Sequence, residues 1–320
     1  MTTRNLTLTA VITLLLVTRG YAPNVVDIGN GTQLLNGTYL NAGKIANNLV
    51  FTSITVQAVT NINIVDNIDL ADASNGGTPH FNLALVTPAL NLTNNILFGA
   101  GDLILNAQTV NLNGTVMATN GTLLSAPQIS GSATQVNVLS DAASLQQAID
   151  LASPTSPVAV QVSPGQYPGD LTIGNKQVTL QMQLAGYTVG MNGYVQVDAN
   201  DALVSGATLQ LQLLGGFIPT NGAQFVILDN SGSQAIGGTF AAASEGSTND
   251  FGSGVLFAIT YAGNGPSGGG NDILLTVVPE PTTWVLLALG CGCLLAGRGA
   301  RFGSVERIRL GCKQTARRRS

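Results

Sequence analysis

The 320-residue sequence predicts an all-β body: a right-handed parallel β-helix (solenoid) in two stacked units, with an apolar segment at either end of the chain. Three observations carry this. Only 9% of residues are charged, against roughly a quarter in an average globular chain. Yet the apolar residues of the body alternate with Asn, Thr, Gln and Gly, and do not form the runs of about 20 that a membrane span needs. The 39 glycines fall at turn-like positions without a three-residue period, which excludes a collagen helix. All three cysteines, Cys291, Cys293 and Cys312, lie near the C-terminus. The body therefore has no disulfide to staple it, and burial and backbone ladders must hold it.

Four segments follow in order: a signal peptide over 1–22, a repeat unit over 23–138, a second unit over 139–278 and a C-terminal tail over 279–320. At the start, Arg4 precedes the apolar run Leu6–Val17, and the stretch closes on Gly20-Tyr21-Ala22. Positive charge, apolar run and small residues in that order predict a secretory signal peptide, hence export by the Sec machinery.

The repeat unit contains three similar segments: Thr55–Ile68, Leu83–Ile96 and Leu103–Val116. Aligned without gaps, the eighth positions are Ile62, Leu90 and Val110, the tenth Ile64, Leu92 and Leu112, and the fourteenth Ile68, Ile96 and Val116. The ninth is always asparagine: Asn63, Asn91 and Asn111. A coil of this length cannot bury its aliphatic face alone, so stacked copies share one core. Inward Asn side chains are expected to bond to one another up the stack, with glycines and asparagines supplying left-handed corners. This half resembles the coils of filamentous haemagglutinin-type adhesins.

In the second unit, Ser140-Asp141 offers a helix N-cap, and Leu145, Ala148 and Ile149 share one face, predicting a short helix over Asp141–Ala152. Val158, Val160 and Val162 then alternate, before Ser163-Pro164-Gly165-Gln166-Tyr167 and the strand-like Leu171-Thr172-Ile173 and Val178-Thr179-Leu180. This order resembles the opening of pectin-lyase-like β-helices, in which the helix plugs the first coil. Ala207-Thr208-Leu209, Gly222–Leu228, Gly238-Thr239-Phe240, Phe257–Tyr261 and Gly270–Leu275 resemble, in order, the passenger-associated segments of autotransporter-like surface proteins.

The tail reads Pro279-Glu280-Pro281, then the apolar run Trp284–Ala296, then Arg298, Arg301 and a basic end. Two prolines stop the preceding strand, the apolar run is short for a bilayer, and the arginines hold its far end in the cytoplasm as a membrane stop. The three-part order resembles the PEP-CTERM sorting signal of Gram-negative bacteria. That resemblance implies processing by an exosortase, transient residence in the inner membrane, a final place on the cell surface or outside it, and association with exopolysaccharide.

Charge narrows the function classes. Between Pro23 and Val278 stand 14 acidic residues against Lys44 and Lys176 alone, so the body lacks the basic patch that nucleic-acid binding requires. Enzyme chemistry is the rival to a structural or adhesive role, since the pectin-lyase-like resemblance also implies polysaccharide lyases and hydrolases. A lyase of that class needs a basic residue to take a proton, and the body has no arginine, two lysines and the single His80, set in a polar insert. A hydrolase needs two carboxylates about 5–10 Å apart. The close acidic groups are Asp66/Asp69/Asp72 and Asp198/Asp201, of which Asp66 and Asp69 fall on opposite faces at strand period and Asp198-Ala199-Asn200-Asp201 reads as a turn. Ser267–Leu274 is one degenerate copy of a calcium-binding nonapeptide, with Asp272 its candidate ligand, and it has no consecutive second copy. The expectation is an exported structural or adhesive protein without cofactor or catalytic residues, with a polysaccharide lyase or hydrolase as the alternative.

Overall fold

A computed structural model of the protein describes residues 25–29, 38–50, 53–70, 82–98, 103–118 and 129–279. The chain divides into two units, Met1–Val278 and Pro279–Ser320, and every described residue except Pro279 belongs to the first.

The described chain opens with β1 (Val25–Gly29), β2 (Thr38–Asn41) and helix α1 (Ala42–Leu49). Further strands follow in groups. They comprise β3 (Ile54–Gln57), β4 (Asn61–Ile64) and β5 (Ile68–Leu70); then β6 (Leu83–Leu92) and β7 (Ile96–Phe98); then β8 (Leu103–Leu112) and β9 (Val116–Ala118). The next is β10 (Ile129–Gly131), β11 (Gln135–Val138) and helix α2 (Leu145–Leu151). Then come β12 (Val158–Val162), β13 (Gly165–Pro168) and β14 (Leu171–Thr172), followed by β15 (Val178–Leu184), β16 (Val195–Ala199) and β17 (Ala202–Leu203). The last elements are β18 (Thr208–Leu213), β19 (Gln224–Asn230), β20 (Thr248–Asn249), β21 (Phe257–Gly263) and β22 (Asp272–Val277).

The protein is mostly β, and its largest sheet is parallel throughout, in the order β18-β15-β12-β11-β8-β6-β4-β1-β2, with β10 also paired to β8 and β3 to β6. Period-2 alternation makes this sheet. Val26, Ile62, Leu90, Val110, Val136, Val160, Leu180 and Leu209 are register partners from strand to strand and all buried. Each contributes about 1.5–3 kcal/mol of burial. The repeat alignment matches this register at Ile62/Leu90/Val110, Ile64/Leu92/Leu112 and Ile68/Ile96/Val116. It slips by one residue further upstream, where Ile54, and not Thr55, pairs with Leu83. The earlier segment holds one extra residue between Gln57, opposite Val86, and Asn61, opposite Ala89. The sheet continues without a break across residues 138 and 139, because β11 pairs with both β8 and β12.

Corners differ from expectation. Among the described residues no asparagine has a positive φ and no glycine before Gly169 does. The early corners are instead held by asparagine side chains: Asn67 Oδ1 accepts from Asn95 N at 2.9 Å, and Asn95 Oδ1 accepts from Thr115 N at 2.8 Å. The later corners do use left-handed glycines, as at Gly174, Gly206 and Gly238 (φ +64°, +81° and +76°).

Two helices replace strands. The sequence reading omitted α1, although Ala42, Ile45, Ala46 and Leu49 sit at helical spacing and all are buried. Helix α2 is shorter than expected, and its N-cap is Ser144, whose Oγ accepts from Gln147 N, not Ser140 or Asp141. Nor does it plug an exposed end. It lies between the three-stranded sheet β5-β7-β9 and the two-stranded sheet β14-β17, and two adjacent glutamines satisfy the strand edges on either side. Gln147 Oε1 accepts from Val116 N at 3.0 Å while its Nε2 donates to Val116 O. Gln146 Oε1 accepts from Thr172 N at 2.7 Å, and its Nε2 donates to Thr172 O at 3.2 Å. Each carboxamide stands in for the peptide group of a missing strand. Lys176 completes the arrangement, donating to the helix-end carbonyls of Ile149 (2.6 Å) and Asp150 (2.8 Å).

The end of the described chain turns antiparallel. In the six-stranded sheet β13-β16-β19-β22-β21-β20, the pairs β13/β16 and β16/β19 are parallel and the remainder antiparallel. The connection from β21 to β22 allows the reversal, because Gly268, Gly269 and Gly270 all have positive φ. In the same sheet Phe225, fully buried, packs against Tyr187, Tyr194, Phe217 and Phe257. Gly238-Thr239-Phe240, one of the passenger-like elements, is irregular.

Candidate functional site: the outer carboxamide ladder

The asparagines of the repeat face outward. Asn63, Asn91 and Asn111 lie between buried aliphatic neighbours on their strands, so period 2 turns them to the opposite face, and all three are half-buried. The inward placement expected from the repeat is thereby corrected, while the bonding up the stack is present. Asn137 Nδ2 donates to Asn111 Oδ1 (2.7 Å), Asn111 to Asn91 (2.6 Å), Asn91 to Asn63 (2.7 Å), and Asn63 to Asp27 Oδ1 (2.7 Å). Every link points the same way and the last acceptor is a carboxylate, so successive amides polarise one another toward Asp27. The column continues in register through Gln161, Gln181 and Gln210. Eight strands at about 4.8 Å make it roughly 34 Å long.

Above the lower part of this column lies a cleft of about 430 Å³ with Asp27, Asn63, Asn91 and Asn111 on its floor. Val65 and Leu139, which are 40% and 51% exposed, stand in its rim.

A second cluster involves carboxylates. Asp198 lies on β16, not in a turn, and its register partner on β19 is Asp229. Burial pushes the Asp198 carboxyl above the usual range; the Gln166 Nε2 hydrogen bond (2.5 Å) opposes this and the Asp229 charge adds to it. Asp198 Oδ1 is buried and has no hydrogen-bond partner among the described residues. Asp229 does not offer itself as a catalytic partner: it is 6% exposed, and its two oxygens accept from Ser267 N (3.2 Å) and Ser267 Oγ (2.9 Å) beneath the β21–β22 connection. Asp201 lies in the bend that follows β16, where its N–H donates to Asp170.

Asp272 is fully buried, and both its oxygens are used by backbone: Oδ1 accepts from Asn230 N at 2.6 Å and Oδ2 from Gly265 N at 2.5 Å. It latches the glycine-rich connection to β19. No group of three His, Cys, Asp or Glu side chains among the described residues is placed to hold a metal ion. Asp66 sits in the corner after β4 and Asp69 on β5. Asp72, His80, Glu280, Pro281, Arg298 and Arg301 lie outside the described residues, and Pro279 is exposed. No described helix is long and apolar enough to cross a membrane, and the apolar run Trp284–Ala296 is outside the described residues.

Asp27, Asn137 and the glutamine continuation were missed in the sequence, although Asp27 stands between Val26 and Ile28 as each asparagine stands between its aliphatic neighbours. No protein-family model matches this chain, and no curated protein or solved structure matches it either.

Proposed function

We propose that this chain is an exported cell-surface or extracellular-matrix protein, structural and adhesive, whose body is a right-handed parallel β-helix. Consecutive coils return to the same parallel sheet in register from β4 to β18, and parallel crossover connections are right-handed in almost every case. The observation that carries the reading is the outward carboxamide column. It is a long, regular polar stripe, fixed from Asp27 to Asn137 by an unbroken run of hydrogen bonds between coils and set on a disulfide-free body. Such a stripe suits display and contact, whereas Asp229 has both oxygens taken up by Ser267 and leaves its neighbour Asp198 without a second free carboxylate. The ends of the sequence support the same reading: the signal peptide directs export through the Sec machinery, and the Pro279-Glu280-Pro281 tail directs exosortase processing at the inner membrane. Exopolysaccharide is the partner this implies. Fractionation of the producing cells tests it: the protein is expected with surface polysaccharide, starting beyond Ala22. Retention in the cytoplasm would refute it.

A further inference from the structure

We infer that the cleft over Asn63, Asn91 and Asn111 is a binding site for a neutral, linear polysaccharide lying along the stack. This rests on the adhesive reading above and gives it a location and a ligand class. An asparagine side chain has two donor hydrogens and two acceptor lone pairs. In Asn91 and Asn111 the ladder uses one of each, leaving one N–H and one lone pair per rung. The floor therefore repeats a donor–acceptor pair at about 4.8 Å, which suits a polymer whose every unit carries hydroxyls that both donate and accept.

The rim fits the rest of such a ligand. Val65 follows β4 and Leu139 follows β11, and their N–H groups extend the ladder by donating to Ile28 O (3.0 Å) and Leu112 O (2.8 Å). They stand three strand spacings apart, about 14 Å, as exposed aliphatic surfaces bracketing a polar floor. Sugar rings present apolar C–H faces as well as hydroxyls, and these can rest on the two side chains. Charge selects against the other classes. Among the described residues of the floor the ionisable group is the carboxylate Asp27, and the body is strongly acidic, so uronate-containing glycans and nucleic acids are repelled. A peptide would add to a free strand edge, whereas the cleft offers the face of a paired sheet.

Calorimetric titration of the purified full chain with cello-, malto- and mannohexaose, and with hexagalacturonate, tests the site. At least one neutral hexaose is expected to bind, and hexagalacturonate at least tenfold more weakly. The double variant Val65→Ser/Leu139→Ser, whose sites are exposed, is expected to keep the wild-type melting temperature and weaken binding at least tenfold. Leu203→Ser, exposed elsewhere, should change nothing. Binding that survives the double variant, equal or tighter binding of hexagalacturonate, or no binding of any neutral hexaose overturns the inference. Any of these, with the protein still found in the surface polysaccharide fraction, would remove the site and leave the proposed function standing.

Discussion

Replacing Gln147 by glutamate isolates the edge-capping role of helix α2. The change is isosteric. Glutamate can still accept from Val116 N–H, but when ionised it cannot donate to Val116 O and instead sets a carboxylate oxygen against that carbonyl. Val116 is 2% exposed, so water does not readily replace the lost donor. The loss is one hydrogen bond, about 1 kcal/mol, plus the cost of a buried unsatisfied carbonyl, about 1–3 kcal/mol. The expected destabilisation at pH 7 is thus about 2–4 kcal/mol. Protonation restores a donor, so the folded-state pKa of the introduced glutamate is raised above its unfolded value. The sign follows by linkage: the stability of the variant relative to wild type is fully present below the unfolded pKa, about 4.3, and is lost as pH rises through the folded pKa. Gln147→Met, which loses both bonds, should show a deficit independent of pH. Urea unfolding followed by circular dichroism at pH 7 and pH 4 measures all three proteins. A Gln147→Glu variant within 0.5 kcal/mol of wild type at pH 7, or one whose deficit persists at pH 4, would refute the reasoning.

Three further outcomes are expected. Asn91→Ala removes two ladder bonds at a half-exposed position and should cost about 1–2 kcal/mol by urea unfolding, less than the roughly 2–5 kcal/mol of the neighbouring Leu90→Ala in the core. Lys176→Met removes a charged donor from two carbonyls at the end of α2 and should cost about 1.5–3 kcal/mol, seen as a lower melting temperature. Because the Asp198 carboxyl is raised, its neutral form favours the fold below the unfolded pKa and that stability is lost as pH rises through the folded value. Asp198→Asn should therefore melt higher than wild type at pH 7, and that gain should vanish below about pH 3.9.

How far the sequence reaches depends on whether a signal repeats. The register of Ile62, Leu90 and Val110 is legible because three segments carry the same spacing between buried positions. The extra residue before Asn61 causes the slip at Ile54: upstream of it a gapless alignment sets the polar Thr55 and Gln57 against the buried Leu83 and Leu85, and that mismatch was the signal of an insertion. The facing of the asparagines was legible and was misread: a residue between two buried strand neighbours must point the other way. Helix α1 was legible too, through Ala42, Ile45, Ala46 and Leu49. The capping by Gln146 and Gln147 was not. Its meaning depends on which strand edges lack a neighbour, and that is set by β9 and β14, which stand about 30 residues before and 20 after the helix. The antiparallel ending was hidden for a similar reason, since alternation in Phe257–Tyr261 and Asp272–Val277 is the same for either strand direction.

Export to the surface with release of the tail is tested by the intact mass of the form recovered from outside the cell. Pro279 follows the last strand at the boundary between the two units and is exposed, and a proline has no N–H to donate to a ladder. The expected mature chain starts beyond Ala22, ends close to Pro279-Glu280-Pro281 and contains none of the three cysteines, and Glu280→Ala leaves the protein in the membrane fraction. An extracellular chain that still carries Trp284–Arg301 would contradict it.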